Sequence, residues 1–336
     1  MNEQWSSKSE NNTKKSTLRE VNFHSNVTLS GTLSIPNNNK ALNPAVVFIP
    51  GSGSVDRDGN VKQFKSDLLL KLSELFTNNG FATLRYDKRG VGKSDGFYLE
   101  AGLMDFIADA ISAVQFLKSV KEVDPQKIII LGHSEGAFIA PAVYSQEPSN
   151  GLILLCGTAT PTKDLIPLQT ERVIDEIKKA KGFKGSLMRL FRLEKLVKWQ
   201  WNALNRKVFS SNKPVIKILG IKKFNAKWFR DSCNYNIREY LPNITCTTLI
   251  IGGDKDIQCI PDEVKDIADL IPGPCTADII PDMNHILHHY KKQHHLLSLI
   301  HEYKQSLKNG LSTAFTETLT HWLKQWSALN ITRESS

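Results

Sequence analysis

The sequence predicts an α/β fold: a mostly parallel, doubly wound sheet with one helical insertion. Three observations predict it. Short, unbroken apolar runs such as residues 45–49 and 128–131 have the character of strands buried on both faces. These runs alternate with amphipathic helical stretches across short connections, the pattern of parallel strands covered by helices on both sides. The alternation breaks once, over residues 160–240, where several helical stretches follow one another with no convincing strand.

In chain order, residues 18–23 and 27–35 read as short strands joined by a turn at Ser25-Asn26, and 36–44 as a polar loop. After the strand 45–49, residues 63–77 have helical spacing through Leu68, Leu69, Leu72, Leu75 and Phe76, with Gly80 placed as a C-terminal cap. A strand at 81–85, an amphipathic helix at 105–120, a strand at 127–131, a helix and a strand at 151–155 continue the series. Beyond the insertion come a strand at 247–251, a helix at 262–270, a strand at 276–280 and a last helix at 312–329. Residues 1–17 are polar and are expected to be a disordered tail. The expected division is thus 18–159 with 241–336 as one α/β domain and 160–240 as a helical, basic insertion.

The 336 residues are 40% hydrophobic and 23% charged, enough apolar content for a substantial core. No apolar run approaches the ~20 residues that cross a bilayer, and the polar N-terminus lacks the apolar core of a signal peptide. Five scattered cysteines with no CxxC pair read as free thiols in a reducing compartment, so a cytoplasmic location is expected. The net charge of +9 belongs to one segment. Residues 178–227 hold 15 Lys and Arg against the single acid Glu194, which leaves 28 of the 43 basic and 33 of the 34 acidic residues elsewhere.

The chemistry centres on Gly132-His133-Ser134-Glu135-Gly136, where an apolar strand ends and a small-residue helix begins. A serine on a strained strand-to-helix turn needs nearly side-chain-free neighbours, and the helix N-terminus beyond it offers N–H groups to a developing oxyanion. Acyl transfer also needs a base, an acid to orient it and a second oxyanion donor. Strand 247–251 runs into Gly252-Gly253-Asp254-Lys255-Asp256, and strand 276–280 runs into Pro281-Asp282-Met283-Asn284-His285. Strand 45–49 ends in Pro50-Gly51-Ser52-Gly53, whose glycines let backbone N–H groups approach a substrate oxygen. All lie at the C-terminal ends of strands, where open sheets hold their ligands. Asp254 and Asp256 both stand where the acid is needed.

In this order the motifs resemble the α/β-hydrolase superfamily, specifically its bacterial esterase and serine-aminopeptidase-like branch. The matching stretches are Gly51-Ser52-Gly53 with Asp56-Arg57-Asp58-Gly59, the run from Arg85 to Ser94, the elbow, Lys227-Trp228-Phe229-Arg230, Gly253-Asp254-Lys255-Asp256 and Asn284-His285. The resemblance implies an α/β-hydrolase fold in which residues 160–240 form a lid. Ser134 would be the nucleophile, Asp256 the acid and His285 the base, with Ser52 and Glu135 supplying oxyanion N–H groups. Pro50-Gly51 replaces the family's usual His-Gly at the oxyanion turn, which leaves Ser52 and Gly53 both open as donors.

Other features have plainer readings. The run from Arg85 to Ser94 lacks the spacing of a phosphate loop and reads as a structural turn braced by Asp87 and Arg89. Six histidines fall within 285–301, and His285, His288 and His289 could share a helical face. No zinc spacing completes them, so they are read as solvated loop histidines apart from His285. In the insertion, Leu187, Leu190, Phe191, Val197, Trp201, Leu204 and Val208 recur at helical spacing among cations. The stripe is expected to face the active site or core, with a solvated basic face outside. Weak contact with an anionic membrane surface and recognition of an acidic substrate are the sharper alternatives, and nucleic acid is not expected.

The expectation is therefore a serine hydrolase of carboxylic esters working through an acyl-enzyme, with a small-molecule ester or thioester as substrate and no cofactor or metal. A thioesterase or an aminopeptidase of the same fold, and a non-catalytic ligand receptor built on it, are the alternatives.

Overall fold

The computed structural model describes residues 16–218 and 221–332. An eight-stranded sheet forms the centre, in the order β1-β2-β4-β3-β5-β6-β9-β10. Its strands are β1 (Ser16–His24), β2 (Thr28–Pro36), β3 (Asn43–Ile49), β4 (Ala82–Tyr86), β5 (Val123–His133), β6 (Gly151–Leu155), β9 (Thr247–Gly253) and β10 (Cys275–Ile280). The β1–β2 and β2–β4 pairings are antiparallel, and all others are parallel. Ser16 and Thr17, expected in the polar tail, extend β1, where pairing with Pro36 and Ile35 orders them. The other fifteen residues of that tail lie outside the described residues.

The unbroken apolar runs follow from burial on both faces. In β3, Ala45, Val47 and Ile49 point to one core while Val46 and Phe48 point to the other. The same alternation holds for Ile128 and Ile130 against Ile129 and Leu131 in β5. Helices α2 (Leu103–Lys118), α3 (Glu135–Gln146) and α8 (Glu263–Ala268) cover the first face. Helices α1 (Leu68–Asn78) and α10 (Thr313–Thr332) cover the second with Phe76, Phe315, Trp322 and Trp326. Each fully buried side chain of this size stabilises the fold by about 1.5–3 kcal/mol.

Three elements differ from expectation. Helix α1 starts at Leu68, not at residue 63. Asn60 Oδ1 accepts from the Ser66 and Asp67 backbone N–H groups at 2.9 Å, and Asp67 turns left-handed at φ 51°, so the helix cannot extend backwards. The insertion contains a hairpin, β7 (Val215–Ile218) with β8 (Lys222–Asn225), where no strand was expected. Ile216 and Phe224 pair on its inner side while Lys217 and Lys223 point out, a two-residue alternation too short to stand out. A short helix, α9 (Leu299–Ser306), also went unread.

The insertion's other helices are α4 (Thr162–Lys179), α5 (Gly182–Leu190), α6 (Leu193–Phe209) and α7 (Ala226–Asn234). Its apolar stripe is not continuous, because Arg192 is left-handed at φ 48° and breaks the run into α5 and α6. Val208, Trp201 and Leu204 pack with Phe229 of α7. Leu187, Leu190 and Phe191 instead point to solvent, which corrects the expectation of one inward stripe.

Candidate active site

Ser134 sits between β5 and α3 with φ 57° and ψ −117°, a conformation that costs a non-glycine residue about 1–3 kcal/mol. Close packing forces it. A Cβ on Gly132 would run into the Gly136 carbonyl, and one on Gly136 into the Ile49 carbonyl. The turn thus lifts the serine hydroxyl off the sheet between the ends of β3, β6 and β10.

The structure brings Ser134, Asp256 and His285 together from three separate strand ends. His285 Nδ1–H donates to Asp256 Oδ2 at 2.7 Å, and Nε2 lies 3.0 Å from Ser134 Oγ, placed to accept its proton. The carboxylate assigns the tautomer, since it only accepts. Asp256 is 5% exposed, and its Oδ1 accepts from the Gln258 and Cys259 backbone N–H groups at 2.8 and 3.1 Å. Asp254 instead pairs with Lys255 at the surface and has no contact with His285.

Further residues hold this arrangement, in roles that motif spacing does not register. His133 Nε2–H donates to the His285 carbonyl at 2.8 Å, tying the elbow to the histidine's own loop. Buried Asn284 accepts from the His288 N–H and donates to Ser306 Oγ, bracing that loop from the other side. Gln258 is tethered twice: its side chain donates to the Tyr303 hydroxyl, and its carbonyl accepts from Gln169 of α4 at 2.8 Å. Arg172 of α4 donates to the Ile257 carbonyl, so the acid-bearing loop hangs partly from the insertion.

The loop that follows β3 has a similar brace. Lys88 Nζ, 3% exposed, donates to the Gly51 carbonyl at 2.7 Å and to Glu135 Oε1 at 2.6 Å. The other Glu135 oxygen accepts from Trp228 Nε1 at 2.6 Å. Neither the Ser52 nor the Glu135 backbone N–H has a hydrogen-bond partner among the described residues.

The run from Arg85 to Ser94 is a brace. Asp87 accepts from the Arg57 backbone and guanidinium and from the Lys93 N–H, and Arg89 forks onto Asp109. Ser94 Oγ donates to the Asp87 carbonyl.

The histidines after His285 do not share one helical face: His295 and His301 are exposed as expected and His289 is partly so, but His288 and His294 are buried. Residues 283–290 fold as a tight loop in which Leu287 turns left-handed and Met283 pairs with His289. His288 is fully buried and His294 is 2% exposed, with its Nδ1 on Glu302. Cys156 brings its sulfur within 4.8 Å of donor atoms of Asp256 and His285. Those two are engaged with each other, and burial raises the Cys156 thiol well above its usual range, so the trio is a poor metal cage. All five cysteines are free.

Burial pulls His133 and His288 down to about 4, helped by the facing His285 and Lys71 respectively. Between pH 6.5 and 4 the unfolded chain therefore binds protons that the folded chain refuses, so stability falls as the pH drops through that window. The expected loss is about 2 kcal/mol for each ring at pH 5. Urea midpoints at about pH 7.5 and pH 5 check this, with His288→Asn expected to flatten the dependence. Equal wild-type midpoints would overturn it.

Two cavities open on either side of Ser134. One, of about 180 Å³, lies under the insertion, walled by Leu165 and Ile166 of α4, Trp228 of α7, Leu103 and Phe138. The other, about 190 Å³, is lined by Val61, Phe64, Leu69, Ile286 and Tyr303. Ser52, Ser134 and Gln258 border both.

Known proteins share this chain's sequence and architecture. The sequence pattern of the family described as Serine aminopeptidase, S33 matches residues 65–292. Esterase EstD of Thermotoga maritima is 28% identical over 265 residues, 77% of this chain and 58% of EstD, so the chain spans little more than half of that relative. Thiohydrolase aneE of Aspergillus aculeatus is 24% identical over 269 residues, 73% of this chain and 80% of that protein. The solved structure of Est1E from Butyrivibrio proteoclasticus superposes with a TM-score of 0.57 at 16% identity, covering 92% of this chain and 99% of Est1E, and so shares its fold. With more than half of its length matched, the chain belongs to the serine aminopeptidase S33 family of α/β-hydrolases, an esterase-like family.

Proposed function

We propose that this protein hydrolyses carboxylic esters through an acyl-enzyme on Ser134. The observation that carries the reading is the unbroken hydrogen-bond chain from Asp256 through His285 to Ser134, opening onto two cavities. His285 Nε2 takes the serine proton as Oγ attacks the acyl carbon, and Asp256 holds the imidazole tautomer and stabilises the imidazolium. The free N–H groups of Ser52 and Glu135 receive the oxyanion. Ser52 is favoured over Gly53 because Ser52 borders both cavities beside Ser134. His285 then passes its proton to the leaving alcohol and activates the water that releases the acid. Residues 160–240 act as a lid in this reading, with α4 and α7 roofing one cavity.

The cavities also bear on substrate class. Among their described lining residues Glu135 is the one carboxylate, and Lys88 and Trp228 occupy both its oxygens. Glu176, the nearest acid in sequence to the basic stretch, accepts from the Leu296 and Leu297 N–H groups instead. A substrate ammonium would be desolvated without a partner, at several kcal/mol. That favours neutral acyl groups over the free N-termini an aminopeptidase needs. Thioesters present the same acyl group, and the likeness to a thiohydrolase supports them as a second reading.

The test compares p-nitrophenyl acetate, butyrate and octanoate with alanine and leucine p-nitroanilides. Ester kcat/KM is expected to exceed anilide kcat/KM by about a hundredfold or more. Faster cleavage of the anilides would overturn the ester reading.

A further inference from the structure

Helix α5 carries its apolar stripe on the solvent side. Phe183, Leu187 and Leu190, at i, i+4 and i+7, share one helix face and are 83%, 41% and 75% exposed. Gly185, on the opposite side, is buried against Ala180. Phe191, 65% exposed, follows the stripe directly in the chain, and Trp199 on α6 is 55% exposed. A soluble helix normally buries such a stripe, and an exposed contiguous apolar patch marks an interaction site.

Cations rim this ridge. Lys181, Arg192, Lys195 and Lys198 are exposed beside it, and Lys217, Lys222 and Lys223 stand on the β7–β8 hairpin. Among the described residues none of Arg192, Lys195 and Lys198 pairs with a carboxylate, and the one acid of the segment, Glu194, is only partly exposed. The combination is specific. Bare positive charge suits any polyanion, but a nucleic-acid backbone has nothing to cover a row of Phe and Leu side chains. An anionic bilayer satisfies both demands, with apolar tips below the headgroups and ammonium and guanidinium groups at their level. Trp and Phe are suited to that boundary. No helix among the described residues is long and apolar enough to cross a membrane, so the contact lies in the interface plane.

We infer that the α5–α6 corner docks on anionic lipid surfaces. The docking requires no hydrolysis, so it stands apart from the reading of Ser134. It places α4, which runs directly into α5 and walls one cavity with Leu165 and Ile166, beside the lipid surface.

Sedimentation of the full chain with phosphatidylcholine vesicles, with and without phosphatidylglycerol, tests the inference at low and high ionic strength. Binding is expected only with phosphatidylglycerol, and it is expected to weaken as salt rises. Phe183→Ser/Phe191→Ser is expected to reduce binding tenfold or more, and Lys195→Gln/Lys198→Gln about fivefold for each cation removed. All four side chains are exposed, so thermal melting and hydrolysis of a water-soluble short ester should match wild type in both variants. Absence of sedimentation with phosphatidylglycerol vesicles at low salt would overturn the inference. So would binding that the phenylalanine pair does not affect, since attraction by charge alone is what a nucleic acid or acidic protein would also produce.

Discussion

Replacing Ser134 with alanine is expected to lower ester kcat by about 10⁴-fold or more while the protein melts at the wild-type temperature. The expected kinetic loss is large because, in the proposed mechanism, the hydroxyl is the group at which the acyl bond forms. His285 and Asp256 alone can only activate water. The fold should survive because the change removes one oxygen at a position whose backbone strain alanine bears as serine does: the close approach of Gly132 and Gly136 imposes φ 57°, not the side chain. A fluorophosphonate probe should label wild type and leave Ser134→Ala unlabelled. Labelling that persists, or ester turnover at the wild-type rate, would place the nucleophile elsewhere. Labelling absent from wild type would favour a ligand receptor on the same fold.

Lys88→Met is expected to cost about 3–5 kcal/mol, a fall in melting temperature on the order of 10 °C. Methionine fills the space over the Phe106 ring, where Lys88 Nζ sits 4.4 Å from the centroid, but leaves Glu135 as a buried carboxylate with only the Trp228 N–H on it. Uncompensated buried charge is what makes this change severe. Adding Glu135→Gln should therefore recover much of the loss, because the amide oxygen still accepts from Trp228 and carries no charge. Activity should fall in both variants, since the Gly51 carbonyl loses the ammonium that anchors the loop bearing Ser52. Differential scanning calorimetry of the two variants checks this. A Lys88→Met protein as stable as wild type would mean that the pair contributes little.

The sheet was legible because its strands are buried on two faces. Runs such as Ile128–Ile129–Ile130–Leu131 admit no solvent-facing position, and the connections between them are short. Helix α1 was legible in its apolar half only. Its expected first turn is taken by Asn60 capturing the Ser66 and Asp67 N–H groups, a side-chain competition that periodicity does not register. His288 and His294 depart from expectation for a related reason: composition ranks histidine as a surface residue, as His295 and His301 are, while the chain folds these two inwards against Lys71 and Glu302.

By itself, the sequence determined the strand order of chemistry: a serine, then an aspartate, then a histidine, each just past an apolar run. That much is local, because strand-to-loop transitions and their glycines are written in neighbouring residues. Only the tertiary structure decided which aspartate meets His285, that Lys88 is buried under the loop after β3, that α4 suspends the loop bearing Asp256, and that α5 turns its apolar side outwards. Each of these depends on residues tens of positions apart being brought within hydrogen-bond or packing distance. A side chain's spacing along the chain carries no record of which distant surface it will meet.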